Sequence, residues 1–145
     1  MRALGLDIGH RRVGLALSDP LGLFAQAYDT LPRGRNDQKL AEAIALIVEK
    51  EDIEQLVVGL PLNLDGSVGI QAKRVERVIE IIQKEISLPI DRIDERLTTV
   101  AAERILIEGQ VRRNSRKKVV DQIAAAMILQ AWLDKRQHSK SSCSS

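Results

Sequence analysis

Two short apolar runs, residues 3–8 and 13–17, stand only four residues apart near the start of the chain. The gap, Gly9-His10-Arg11-Arg12, has room for a turn and little else, so the pair predicts a β-hairpin. Residues 26–31, with the strand formers Tyr28 and Thr30, predict a third strand. Pro32, Gly34 and Asn36 then break the pattern. Behind Asn36, a good N-cap, Leu40, Ile44, Ile47 and Val48 recur at helical spacing and predict a helix over 37–50. Leu56-Val57-Val58 reads as the centre of a buried parallel strand over 55–59. After a turn-rich loop, Ala72, Val75, Ile79, Ile82 and Ile86 mark one face of a second helix. Pro89 stops that segment, and residues 90–93 predict a fifth short strand. A third helix is expected over 99–108, then a basic loop over 112–118, then a long last helix from about 116 to 135. The order is three strands, then helix, strand, helix, strand, then helices. It predicts an α/β fold: a mixed five-stranded sheet, three strands antiparallel and the later ones joined by parallel βαβ connections, flanked by helices.

At 145 residues the chain has the length of one domain, expected over 1–136. Residues 137–145, mostly Ser and Lys, are expected to form a disordered tail. No apolar run approaches the roughly 20 residues that span a bilayer. The opening MRALGLDIG meets an acid and two glycines too early for a signal peptide. Cys143 is alone and cannot form an internal disulfide, and no Cys/His cluster suits zinc. A cytoplasmic protein with no membrane partner is the expectation. Aromatic residues are limited to Phe24, Tyr28 and Trp132, which removes the stacking platform used by many single-strand binders. The net charge of +2 is unevenly placed: residues 112–145 hold 8 of the 22 basic and 2 of the 20 acidic side chains. A basic C-terminal region on a slightly acidic body points to an anionic partner, most simply phosphate.

Ligands of such sheets sit at the carboxyl ends of the parallel strands. Asp7 closes the first strand, Asp94 and Glu95 close the fifth, and Asp121 lies one turn into the expected last helix. Carboxylates gathered at one point repel unless a cation lies between them. A divalent ion with oxygen ligands is the usual solution, completing its shell with substrate phosphate. Each acid also has a plain reading. Asp7 could be a turn residue, Glu95 could stabilise a helix N-terminus, and Asp121 could pair with Lys117 one turn back. Taken together, at three strand or helix ends of one sheet, they favour a site.

Four segments resemble the YqgF/RuvX family, in family order and over nearly the whole chain apart from the tail. They are Leu6-Asp7-Ile8-Gly9-His10-Arg11-Arg12-Val13-Gly14-Leu15-Ala16-Leu17-Ser18-Asp19, Val58-Gly59-Leu60-Pro61 with Asp65-Gly66-Ser67, Asp94-Glu95-Arg96-Leu97-Thr98-Thr99, and Val120-Asp121-Gln122-Ile123-Ala124-Ala125. The resemblance implies a ribonuclease H-like fold and a metal-dependent nuclease. The family is described both as a Holliday junction resolvase and as a nuclease maturing the 5′ end of pre-16S ribosomal RNA. Its acidic triad falls on Asp7, Glu95 and Asp121, which would act as catalytic metal ligands for Mg²⁺ or Mn²⁺. Position 10 departs from the pattern: a small hydroxyl residue is usual there and this chain has His10.

Substrate contacts are expected from cations near these acids. Arg11 and Arg12 lie in the first turn, where phosphate contact and plain hairpin charge both stay open. Arg96 could steady Glu95 or grip a phosphate. Asn63 could reach a nucleic-acid backbone or simply form a turn. Arg112, Arg113, Arg116 and Lys117 precede Asp121 and would frame the site with contacts that position a substrate rather than specify it. The expected partner is structured RNA or branched DNA, recognised by shape, and a homodimer is compatible with either. A phosphate loop of the actin-like ATPase kind and a non-catalytic nucleic-acid binder remain the competing readings.

Overall fold

The computed structural model describes residues 1–97 and 113–143. Three strands open the chain: β1 (Ala3–Ile8), β2 (Arg12–Ser18) and β3 (Ala25–Pro32). Helix α1 (Asp37–Lys50), strand β4 (Gln55–Leu60), helix α2 (Ile70–Glu85) and strand β5 (Ile90–Asp94) follow. A 3₁₀ turn spans Glu95–Leu97, and helix α3 covers Arg113–Cys143. The sheet order is β3-β2-β1-β4-β5. β1 pairs antiparallel with β2 and parallel with β4, β2 pairs antiparallel with β3, and β4 pairs parallel with β5. This is the mixed sheet that the strand order predicts.

Every residue of β1 is buried, because helices cover both faces of the central strand. Period-two alternation divides the core. Leu4, Leu6 and Ile8 join Leu56 and Val58 in a cluster with Leu40 and Ile44 of α1 and Val75, Val78, Ile79 and Ile82 of α2. Ala3 and Val57 face the other way, onto Ala124, Ala125, Ile128, Leu129, Trp132 and Leu133 of α3. The result is three layers, with α1 and α2 on one side of the sheet and α3 on the other. Asn36 caps α1 as its side-chain oxygen accepts from the Gln38 N–H at 2.9 Å. Trp132 Nε1 donates to Asp91 Oδ2 at 2.8 Å and ties α3 to the edge strand.

Two boundaries differ from expectation. Helix α3 starts at Arg113, so Arg113, Arg116 and Lys117 belong to a helix rather than a loop. It also continues past Lys135 through residues expected in the tail, as far as Cys143. The reason is local: no Gly or Pro occurs from residue 110 onward, so nothing in the chain breaks the helix. The helix expected over 99–108, and Arg112, lie outside the described residues.

Candidate active site

Asp7 occupies the last turn of pleat in β1 and is only 4% exposed. It alternates with Leu6 and Ile8, which point to α1 and α2, so its side chain lies on the α3 face of the sheet. Its register partner on β2 is Gly14. On the other side, Leu6 pairs with Val58, which brings Asp7 level with Gly59 of β4. Asp7 is thus flanked by a glycine on each neighbouring strand, each about 4.8 Å away.

Those two glycines are where the other acids arrive. A methyl group at Gly14 would overlap the Asp121 carbonyl and press on its Cβ, so α3 crosses the sheet at that point in direct backbone contact. A methyl group at Gly59 would stand 2.8 Å from Glu95 Oε1 and overlap the Ile128 side chain. The bare backbone at positions 14 and 59 therefore admits Asp121 and Glu95 onto the two strands that flank Asp7. Each fully buried Ile128 or Leu129 side chain contributes about 1.5–3 kcal/mol. A half-exposed ion pair contributes roughly 0–1 kcal/mol. The apolar contact of α3 with the sheet, not any charge pair, decides where Asp121 stands.

The acids share a corner without forming a finished metal cage. Among the described residues, no group of three or more His, Cys, Asp or Glu is close enough to hold an ion. One partner of Asp121 is a cation from the hairpin: Arg12 Nε lies 3.2 Å from Asp121 Oδ2. The donor set is oxygen only, drawn from three separate elements, and suits a hard divalent ion rather than zinc or copper.

The remaining predicted contacts divide. Arg96 is committed to its own loop. Its Nη2 donates to Asp94 Oδ2 at 2.7 Å and its Nη1 to the Leu64 carbonyl at 3.2 Å. The side-chain hydrogen bond from Arg96 holds the Asp94 carboxyl below the usual carboxylate range, and Asp94 in turn raises the guanidinium. Asn63 builds the adjoining turn: its Nδ2 donates to Ser67 Oγ at 2.9 Å, and its carbonyl accepts from the Gly66 N–H at 2.8 Å. Arg11 is exposed, and its carbonyl accepts from the Arg33 N–H at 2.8 Å. Arg113, Arg116 and Lys117 occupy the first turns of α3, ahead of Asp121 on the same helix. One residue that sequence reasoning passed over is Arg33. Its Nη1 donates to the Gly9 carbonyl at 2.9 Å and its Nε to Asp37 Oδ1 at 3.1 Å, bracing the turn that follows Asp7. Its only signal is a cation just after a strand, which is too common to notice.

A family model described as RuvX, Holliday junction resolvase, matches residues 1–135. The chain belongs to the RuvX family. A relative from Desulforamulus reducens, named "Putative pre-16S rRNA nuclease", is 46% identical over 134 residues, covering 92% of this chain and 97% of the relative. A Clostridium kluyveri relative of the same name is 47% identical over 135 residues, covering 93% and 98%. Among solved structures, Thermus thermophilus RuvC in complex with a Holliday junction substrate superposes with a TM-score of 0.60 at 14% identity, over 94% of this chain and 96% of that one. The Fowlpox virus resolvase, in complex with Holliday junction DNA, gives 0.55 at 8% identity, over 93% and 98%. At such low identity these two establish the fold, which is the ribonuclease H-like fold of the RuvC-type resolvases. RuvX membership makes the chain a nuclease, a hydrolytic enzyme. No described helix is long and apolar enough to cross a membrane.

Proposed function

We propose that this RuvX protein is a metal-dependent nuclease that trims the 5′ end of pre-16S ribosomal RNA, working as a single domain over residues 1–136. The observation that carries the reading is Asp7, buried at 4% exposure between two glycines over which Asp121 and Glu95 close. Carboxylates brought to one corner are stabilised by a cation between them. Asp7, Glu95 and Asp121 would hold Mg²⁺ or Mn²⁺. When bound, the ion supplies the charge that lets the carboxylates approach and that stabilises a phosphodiester as it is hydrolysed.

The chain's own residues do the rest. Asp7 offers a ligand fixed by the central strand, with almost no freedom to swing. Glu95 stands in the 3₁₀ turn directly after β5 and Asp121 on α3, so the second and third ligands would come from outside β1. Arg12 supplies a cation to Asp121, and its guanidinium would suit a substrate phosphate at the same corner. Arg113, Arg116 and Lys117 add positive charge along the start of α3, and Arg11 adds it from the hairpin turn. Arg96 and Asn63 serve by holding the 61–69 loop rigid beside Glu95.

Support for RNA comes from the names of relatives 46% and 47% identical over more than nine-tenths of the chain. The description of the family model favours a second substrate, a four-way DNA junction. A cleavage assay on both substrates, each with Mg²⁺, with Mn²⁺ and with chelator, separates them. The expected result is metal-dependent cutting of the precursor RNA and little or none of the junction. Cutting of the junction alone would reverse the assignment.

A further inference from the structure

On the opposite side of the β1–β2 turn from the acids lies a cleft of about 290 Å³ that the nuclease reading leaves unused. His10 enters it from the turn, Arg33 and Arg35 from the segment after β3, and Arg74 and Arg77 from α2. The two α2 arginines stand three residues apart and so share a helix face. Arg74 Nη1 lies 3.4 Å from His10 Nδ1. One acid, Asp37, also lines the cleft, and Arg33 already occupies it through the 3.1 Å ion pair. Among the described residues, no carboxylate forms an ion pair with Arg35, Arg74 or Arg77. Three guanidinium groups therefore converge on one concave, polar surface with no counter-charge of their own. Repulsion among them is a standing cost to the fold, offset when an anion sits between them.

We propose that this cleft seats backbone phosphates of the nucleic-acid strand that runs across the acid corner. The inference rests on the nuclease reading above and extends it to a second, non-catalytic contact. Position supports it. His10 follows Asp7 by three residues, which span at most about 11 Å of chain. A strand laid over Asp7 thus crosses the turn and reaches the cleft within a few nucleotides. Chemistry supports it too. Guanidinium forks match phosphate oxygens in pairs. Arg33 is pinned to the Gly9 carbonyl and to Asp37, so one wall is rigid before substrate arrives. His10 adds a ring nitrogen to the cleft beside Arg74. Such contacts set the path and register of a strand and carry no sequence preference.

The test is equilibrium binding of the full chain to a precursor-RNA hairpin with a single-stranded 5′ extension, in chelator, across a salt series. The variants are Arg35→Ala/Arg74→Ala/Arg77→Ala, its Lys counterpart, and Lys84→Ala near the far end of α2 as a control. Each phosphate contact contributes about 0.7–0.9 to the slope of log affinity against log salt. The triple Ala variant should flatten that slope by about two to three and weaken binding at low salt by at least tenfold. The Lys counterpart should keep most of the slope, and Lys84→Ala should keep all of it. A triple Ala variant that binds with the wild-type slope overturns the cleft while leaving the nuclease reading intact. Wild-type protein that shows no salt-dependent binding at all overturns the nuclease reading itself. Inorganic phosphate or a mononucleotide at low millimolar concentration should not displace the RNA. If inorganic phosphate binds the wild type but not the triple Ala variant, while both bind RNA with the same salt slope, the cleft is a small-anion site and the proposal fails.

Discussion

At the scale of single residues, the pairing of Arg12 with Asp121 is the contact with the most consequence. It joins side chains 109 residues apart, and it places a cation where the proposed metal ion would compete for the same carboxylate. The pair is partly exposed, so it stabilises the fold by no more than about 1 kcal/mol. Removing it should matter more to metal binding than to stability. Arg12→Gln is expected to bind Mn²⁺ a few-fold more tightly than wild type in a calorimetric titration, with an unchanged melting temperature. Weaker Mn²⁺ binding would mean that Arg12 holds Asp121 in place for the ion instead of competing with it. Residue-level reading of the sequence is uneven for a physical reason. Asp7 stands out because an acid inside an apolar strand is costly and local context reveals it. The partner of Asp121 does not, because a hairpin side chain reaching a distant helix leaves no periodic trace. Arg96 illustrates the same gap. Its carboxylate two residues back, Asp94, and the Leu64 carbonyl absorb its donors, and the adjacency to Glu95 in sequence gives no hint of that.

At the scale of elements, glycines 14 and 59 decide how closely the layers approach. Helix α3 rests on β2 at Gly14 with its backbone, and its depth there sets how near Asp121 comes to Asp7. Gly14→Ala should force the helix outward at a cost of about 1–3 kcal/mol, lowering the melting temperature by several degrees. It should also reduce cleavage, because Asp121 moves with the helix. Gly34→Ala is the matched control, since a methyl group there meets nothing within 4 Å, and it should melt as wild type. Equal melting temperatures for the two variants would show that the close approach at Gly14 is not what seats the helix. The strands and the first two helices are legible from periodicity alone, because each has a clear apolar face and clear breakers at its ends. The start of α3 is not. Its first turns are charged and carry no apolar stripe, so they read as a loop although nothing there opposes helix formation. The role of the two glycines is equally hidden in the sequence, since it exists only once another element lies on top of them.

At the scale of the whole molecule, one sheet carries two layers with different tasks. Helices α1 and α2 bury the larger apolar cluster against one face of the sheet. Helix α3 closes the other face and delivers an acid to its end. The carboxyl ends of β1, β4 and β5 all lie at one edge, so the hairpin turn, the 61–69 loop and the end of β5 form a single working rim. This arrangement follows from strand order, which the alternation of apolar runs makes legible, whereas the basic cleft on the far side of the turn needs three elements to meet and is invisible before they do. Asp7, Glu95 and Asp121 are proposed to act as one metal-binding unit on this rim. The measurement that tests it most directly compares wild type with Asp7→Asn, Glu95→Gln and Asp121→Asn for cleavage of precursor RNA in Mn²⁺, alongside RNA binding in chelator. Loss of an outer-shell partner of a metal site already costs 10–100-fold, so each ligand variant should lose cleavage by at least about 100-fold. RNA binding should stay equal to wild type or tighten as negative charge leaves the rim. Any one of the three variants cutting at a rate close to wild type would remove that residue from the unit and contradict the account.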